Sequence, residues 1–183
     1  AMGGDNVKAS LQLPKYDIDT LRKYKTLFTL GEPIICSEKL HGCFGRYGVS
    51  KTDGFLIGSR TNWKAESKKS PWSIALENQP EIRVFCEKNP GLFLYGEVYG
   101  AVQDFKYDLN TCRFACFDIF STIDGRFLDA PDWLNMCTNN GITTVPIIGR
   151  QAFNFEDLEG LSNGKSLIAT HCREGVVIKP IKE

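Results

Sequence analysis

The sequence predicts an α+β domain built on antiparallel sheets, and three observations predict it. Short β-rich segments follow one another directly, and two of them are joined by Lys51-Thr52-Asp53-Gly54, whose Asp-Gly step favours a tight hairpin turn. Helical patterns are few and short, so strands do not alternate with helices as parallel βαβ units require. With 183 residues, 42% of them hydrophobic and 11% aromatic, the chain has the length and apolar content for one domain with a substantial core.

The first four residues, Ala-Met-Gly-Gly, have the look of an expression scar and are set apart from a domain over 5–183. A short-helix pattern over 16–24 has Asp17 or Asp19 as its cap. Three β segments follow at 33–39, 43–49 and 55–61, and the polar, basic run 62–70 predicts a loop. Pro71-Trp72-Ser73 opens a helix with a first-turn proline, Pro80 interrupts it, and the pattern resumes over 81–88 until Asn89-Pro90-Gly91. Strands are expected at 92–99, 113–121, 125–128 and 143–148, helices at 130–140 and 155–161, and a last strand at 174–181.

Charge excludes a general nucleic-acid coat, because 22 Lys and Arg balance 22 Asp and Glu; any such contact must come from a local patch. Seven cysteines without a Cys-x-x-Cys pair argue against a disulfide framework or zinc ribbon and for an intracellular, reducing compartment, cytoplasm or nucleus. Cys36, Cys86, Cys116 and Cys137 sit in apolar runs and are expected in the core. No apolar run approaches a membrane span, and no basic-then-apolar leader stands at the start.

The chemistry gathers around Ser37-Glu38-Lys39-Leu40-His41-Gly42, which follows the apolar Pro33-Ile34-Ile35-Cys36. This predicts a lysine at a buried strand end, where desolvation favours the uncharged, nucleophilic amine. A lone Lys-x-His-Gly is more often a lysine reaching along a strand to water. Further polar residues on core-like strands change the balance. Glu97 lies inside Leu92-Phe93-Leu94-Tyr95-Gly96-Glu97-Val98-Tyr99-Gly100, Asp118 inside Phe114-Ala115-Cys116-Phe117-Asp118-Ile119-Phe120, and Glu174 opens Glu-Gly-Val-Val-Ile-Lys, which ends in Lys179. Each alone is most simply a structural ion pair. Together, two carboxylates and two lysines on such strands suggest a pocket for an anion and a divalent metal. Gly42, Gly96 and Gly175 beside them suit close backbone approach to a ligand.

These residues carry a resemblance. The chain is similar to the nucleotidyltransferase domain of the covalent ligase and capping-enzyme superfamily, and within it to RNA ligases of the RNA ligase 2-like branch. Lys39-Leu40-His41-Gly42 matches the nucleophile motif, with His where DNA ligases and capping enzymes carry Asp. Gly58-Ser59-Arg60, Tyr95-Gly96-Glu97, Phe117-Asp118-Ile119-Phe120 and Glu174-Gly175-Val176-Val177-Ile178-Lys179 match the later motifs in the family's order. The resemblance implies an ATP-grasp-like fold of antiparallel sheets with flanking helices, and an ATP-dependent RNA ligase.

It also implies roles. Lys39 would form a covalent lysyl-AMP, with Glu97 and Glu174 as its catalytic partners. AMP would pass to an RNA 5′-phosphate, and a 3′-hydroxyl would seal the end or nick. Glu38, Leu40, His41, Gly42, Arg46, Arg60, Phe117, Val176 and Lys179 would complete the nucleotide site, Phe117 by stacking on adenine. Mg²⁺ or Mn²⁺ would be held by Glu97 and Glu174 through waters. Arg60, Lys64, Lys68 and Lys69, interleaved with Trp63 and Trp72, would grip RNA, although a solvated loop fits that run equally. The enzyme is expected to be a monomer without membrane contact.

One part of the pattern is missing from the sequence: the family's last motif, Lys-x-Lys, is absent before Glu183. The expectation is a domain cut short before that motif, binding adenine nucleotide and performing the first step weakly. Two alternatives stay open. One is a DNA ligase or capping guanylyltransferase, against which the His41 position weighs. The other, of a different class, is a non-catalytic nucleotide- or RNA-binding module on the same fold.

Overall fold

The computed structural model describes residues 5–24, 26–67 and 69–183, so Lys68 lies outside the described residues. In chain order the elements are β1 (Asn6–Val7), β2 (Pro33–Glu38), β3 (Cys43–Ser50), β4 (Gly54–Gly58) and β5 (Trp63–Lys64). Next come α1 (Pro71–Asn78), α2 (Glu81–Lys88), β6 (Leu92–Gly100), β7 (Cys112–Ser121), β8 (Arg126–Phe127) and α3 (Ala130–Asn139). The chain ends with β9 (Ile147–Ala152), α4 (Phe155–Leu161) and β10 (Val176–Pro180). They build a 7-stranded sheet in the order β1-β5-β4-β3-β6-β7-β8 and a 3-stranded sheet in the order β10-β2-β9. Named strand pairs are antiparallel in both sheets, as the hairpin-rich sequence predicts.

The β3–β4 hairpin turns at Gly54, whose φ of +74° suits a residue without Cβ. One face of the large sheet is covered by α1, α2 and α3 around Tyr47, Leu94, Phe114, Phe85, Ile82 and Trp133. Each is at most 2% exposed, and burying side chains of this kind contributes about 1.5–3 kcal/mol apiece. The four cysteines expected in the core are fully buried. Ser70 caps α1 by accepting from the Ser73 amide, and Pro80 separates α1 from α2.

Three segments differ from expectation. Residues 16–24 are not a helix: the chain runs irregularly and turns only at 21–23. The Tyr16 ring is drawn among Phe44, Tyr95, Phe117 and Phe127, with centroids 4.9 to 6.4 Å away, and that burial outweighs the marginal stability of so short a helix. The run 62–70 contains a short strand, because Trp63 buries its indole against Phe93 while pairing with β4 and β1. The strand expected over 143–148 is split at Pro146. Before it, Thr143 and Val145 bond to Cys116 of β7 at 2.8 Å; after it, β9 joins β2 in the small sheet. Pro146 has no amide proton to continue a ladder, and its carbonyl accepts from the Glu38 amide at 2.9 Å.

Candidate active site

The connection 39–42 leaves β2 in the small sheet and enters β3 in the large one, so it crosses the junction of the two sheets. Register decides what meets it there. In the small sheet Val176 pairs with Glu38, and the Lys39 amide continues the ladder by donating to the Gly175 carbonyl at 2.9 Å. That places Glu174 beside Lys39, whose Nζ forms an ion pair with Oε1 of Glu174. The other carboxylate oxygen lies 3.3 Å from Nδ1 of His41. In the large sheet Glu97 pairs with Phe44, and its carboxylate accepts from the Gly42 amide. Burial pushes the Glu97 carboxyl up to about 7; Lys39 opposes this and the Glu174 charge adds to it. Residues far apart in sequence thus converge because two ladders share one crossing loop.

Lys39, His41, Gly42, Arg60, Glu97 and Glu174 line one cavity of about 420 Å³, with Phe44, Ser59, Trp72 and Gln103. Lys39 also borders a second cavity of about 590 Å³, whose walls include Val176, Lys179, Tyr16 and α4. Sequence reasoning placed Lys39 in a buried strand end. Instead its side chain is 41% exposed, because β2 ends one residue earlier and an ammonium keeps access to solvent and to Glu174.

The other expected residues range from buried to exposed. Leu40 is buried under the loop with Tyr99, Tyr107, Ala115 and Val145. Glu38 is buried too: Oε2 accepts from the Leu167 amide at 2.7 Å, whereas Oε1 is buried without a partner among the described residues. Phe117 meets Tyr16 at 4.9 Å and Phe44 at 5.8 Å. Arg46 is 5% exposed, with its guanidinium 4.7 Å from the Trp63 ring. Arg46 is therefore not an exposed-strand arginine.

Lys179 is only 12% exposed and pairs with Oδ2 of Asp118, an oxygen that also accepts from the Tyr16 hydroxyl at 3.0 Å. Burial pushes the Asp118 carboxyl up to about 6 against the pull of Lys179 and Tyr16. Arg60 is exposed, 3.2 Å from Asp17. Lys64 donates to Asn6 at 2.8 Å and lies over Trp72, and Lys69 is exposed. Trp63 and Trp72 do not face solvent as base-stacking residues would: both are buried, their indole N–H groups donating to the Leu11 and Phe44 carbonyls.

Two of the three glycines play another part than expected. A Cβ on Gly42 would stand 2.1 Å from the Val98 carbonyl oxygen, and one on Gly96 would stand 2.2 Å from that of Ala115. Their bareness serves strand-to-strand approach within the chain, whereas the space around Gly175 is open. Sequence reasoning missed Tyr16, Gln103 and Tyr107. Gln103 donates to the Gly42 carbonyl and the Tyr107 oxygen accepts from the His41 amide, and neither sits in a motif or a periodic pattern.

Among the described residues no group of three or more His, Cys, Asp or Glu could hold a metal directly. Glu97, whose ionisation the neighbouring Glu174 charge opposes, and Glu174 itself suit a hydrated cation held through waters. An ion-paired lysine at a sheet junction, faced by a second, half-buried carboxylate, defines a candidate covalent-catalysis site of the lysine-nucleophile class.

The chain belongs to the RNA ligase family, whose profile matches residues 32–183. No curated protein matches it. Among solved structures it is similar to Naegleria gruberi RNA ligase with PPi, with a TM-score of 0.87 and 21% identity over 98% of this chain and 56% of that one. A mutant of the same ligase with AMP and Mn gives a TM-score of 0.88 at 21% identity, over 99% of this chain and 57% of that one. Another mutant, with ATP and Mn, gives 0.86 at 20% identity, over 99% of this chain and 57% of that one. The chain therefore spans a little over half the length of the structures it matches. No helix among the described residues is long and apolar enough to cross a membrane.

Proposed function

We propose that this chain is the adenylyl-transferring domain of an ATP-dependent RNA ligase. One observation carries the reading above the others: Lys39 and Glu174 meet at the sheet junction with Glu97 facing them, which is the geometry a transferable nucleotidyl group needs. In the first step the Lys39 amine, having given up a proton to Glu174 or solvent, attacks the α-phosphorus of ATP. A P–N bond forms, the bond to the β-phosphate oxygen breaks, and pyrophosphate leaves. An RNA 5′-phosphate oxygen then takes the AMP and frees Lys39. Finally a 3′-hydroxyl attacks that 5′-phosphate and AMP departs.

Positioning and charge neutralisation do most of this work, since each step moves charge among phosphate oxygens. Glu97 and Glu174 hold a hydrated Mg²⁺ or Mn²⁺, which when bound supplies positive field to the phosphates and favours the uncharged amine. Arg60 at the cavity wall contacts phosphate, and Phe117 gives the base the ring face that Tyr16 leaves. Arg46, Val176 and Lys179 complete the nucleotide surroundings, and Arg60, Lys64, Lys68 and Lys69 take RNA backbone. Seven cysteines, all free, support a reducing intracellular compartment, and the reading takes the enzyme as a monomer.

The test is transfer of α-labelled ATP to the chain with Mg²⁺ or Mn²⁺. Label should appear on the wild type, vanish in Lys39→Ala, and be absent with labelled GTP. Label that persists in Lys39→Ala refutes the nucleophile. Preference for GTP would favour a capping enzyme, and nucleotide binding without any label a non-catalytic module.

A further inference from the structure

The connector 101–111 between β6 and β7 closes over the nucleophile loop from behind. Three of its side chains reach that loop. Gln103 donates to the Gly42 carbonyl, the Phe105 ring meets the His41 imidazole with centroids 5.1 Å apart, and the Tyr107 oxygen accepts from the His41 amide at 2.7 Å. His41 lies between two strands and has no ladder partner, so Tyr107 satisfies an amide that neither sheet can serve. The phenol itself is fixed. Tyr107 is 3% exposed, with Tyr99 edge-on at 5.5 Å and His171 at 4.8 Å. Its φ is +51° and that of Asp108 is +58°, a left-handed pair of residues with side chains, which persists only where the surroundings over-determine it.

We propose that Tyr107 and Gln103 are positioning residues for the Lys39 nucleophile. The inference rests on the adenylyl-transfer reading and goes beyond it. The loop is pinned at each turn: the Lys39 amide to Gly175, the His41 amide to Tyr107, the Gly42 amide to Glu97 and the Gly42 carbonyl to Gln103. Tyr107 and Gln103 supply the pins from outside the two sheets' ladders. They fix the direction in which Nζ of Lys39 leaves the backbone, and hence its line of attack on phosphorus. Neither touches the reacting atoms. A nucleophile displaced by about 1 Å loses on the order of a hundredfold in rate.

The experiment is single-turnover labelling of the full chain by ATP with Mg²⁺, for the wild type, Tyr107→Phe and Gln103→Ala. It reads the rate constant at saturating ATP, the ATP concentration for half-maximal rate, and the final labelled fraction. Tyr107→Phe, which keeps the ring and its packing, should lower the rate constant by about ten- to a hundredfold. Half-saturation and the final fraction should stay within about twofold. Gln103→Ala should slow the same constant, and it carries the test alone if Tyr107→Phe does not fold. A rate constant within about twofold of wild type in the folded variants overturns the proposal. So does a loss confined to the labelled fraction that follows a lowered melting temperature, which would make Tyr107 a core residue only. If the wild type takes no label, the ligase reading itself fails.

Discussion

Replacing Glu97 by Gln should make the protein more stable and less active at once. Burial holds the Glu97 carboxyl at about 7, against 4.5 for a free one. Between those values the folded protein keeps a proton that the unfolded chain has released, so stability falls as pH rises through that window and the loss is complete above it. At 1.36 kcal/mol per pH unit the full penalty is ~3 kcal/mol, and solvent at this half-buried side chain reduces it to ~1–2 kcal/mol. Glutamine keeps an oxygen for the Gly42 amide but has no charge to desolvate. Urea unfolding of Glu97→Gln against wild type should therefore show a gain of ~1–2 kcal/mol at pH 8 that shrinks toward zero near pH 4.5. Labelling by ATP should fall by about a hundredfold or more if the carboxylate serves the transition state. A stability difference independent of pH, or a variant less stable than wild type at pH 8, would refute the reasoning.

Lys179→Met should cost about 3–5 kcal/mol in urea unfolding at pH 7, because it strands the fully buried Asp118 carboxylate. The deficit should shrink as pH falls toward 6 and level off below it, because without Lys179 the Asp118 carboxyl takes up its proton at a higher pH than the value of about 6 it has beside that lysine; a deficit constant with pH would contradict the ion-pair argument. Gly96→Ala puts a Cβ 2.2 Å from a backbone oxygen and should lower stability by about 1–3 kcal/mol, whereas Gly175→Ala meets nothing within 4 Å and should leave the melting temperature unchanged. Equal effects of the two, measured by calorimetry, would show that close approach is not what fixes Gly96.

The parts of the site that could be read from sequence were those with a local contradiction. Glu97 breaks an apolar run, Glu174 opens another, and Lys39 follows a third shortly before a glycine. Asp53-Gly54 named its hairpin because left-handed backbone at a glycine leaves a trace in sequence. The same backbone at Tyr107 and Asp108 leaves none, so the connector that holds the loop was invisible. Tyr16 was misplaced because its partners Phe44, Phe117 and Asp118 come from other strands, and local pattern knows nothing of them. Gly42 and Gly96 were noticed for the right reason, closeness, but the neighbour is the chain's own backbone.

Glu97 stands on the large sheet and Glu174 just ahead of β10 of the small one, and the two sheets are joined by the crossings at 39–42 and at Pro146. Anything gripped by both acids works as a latch across a seam in the molecule. Nucleotide with its cation should then slow amide hydrogen exchange along β9 as well as at the cavity, a tightening felt on strands that touch no ligand.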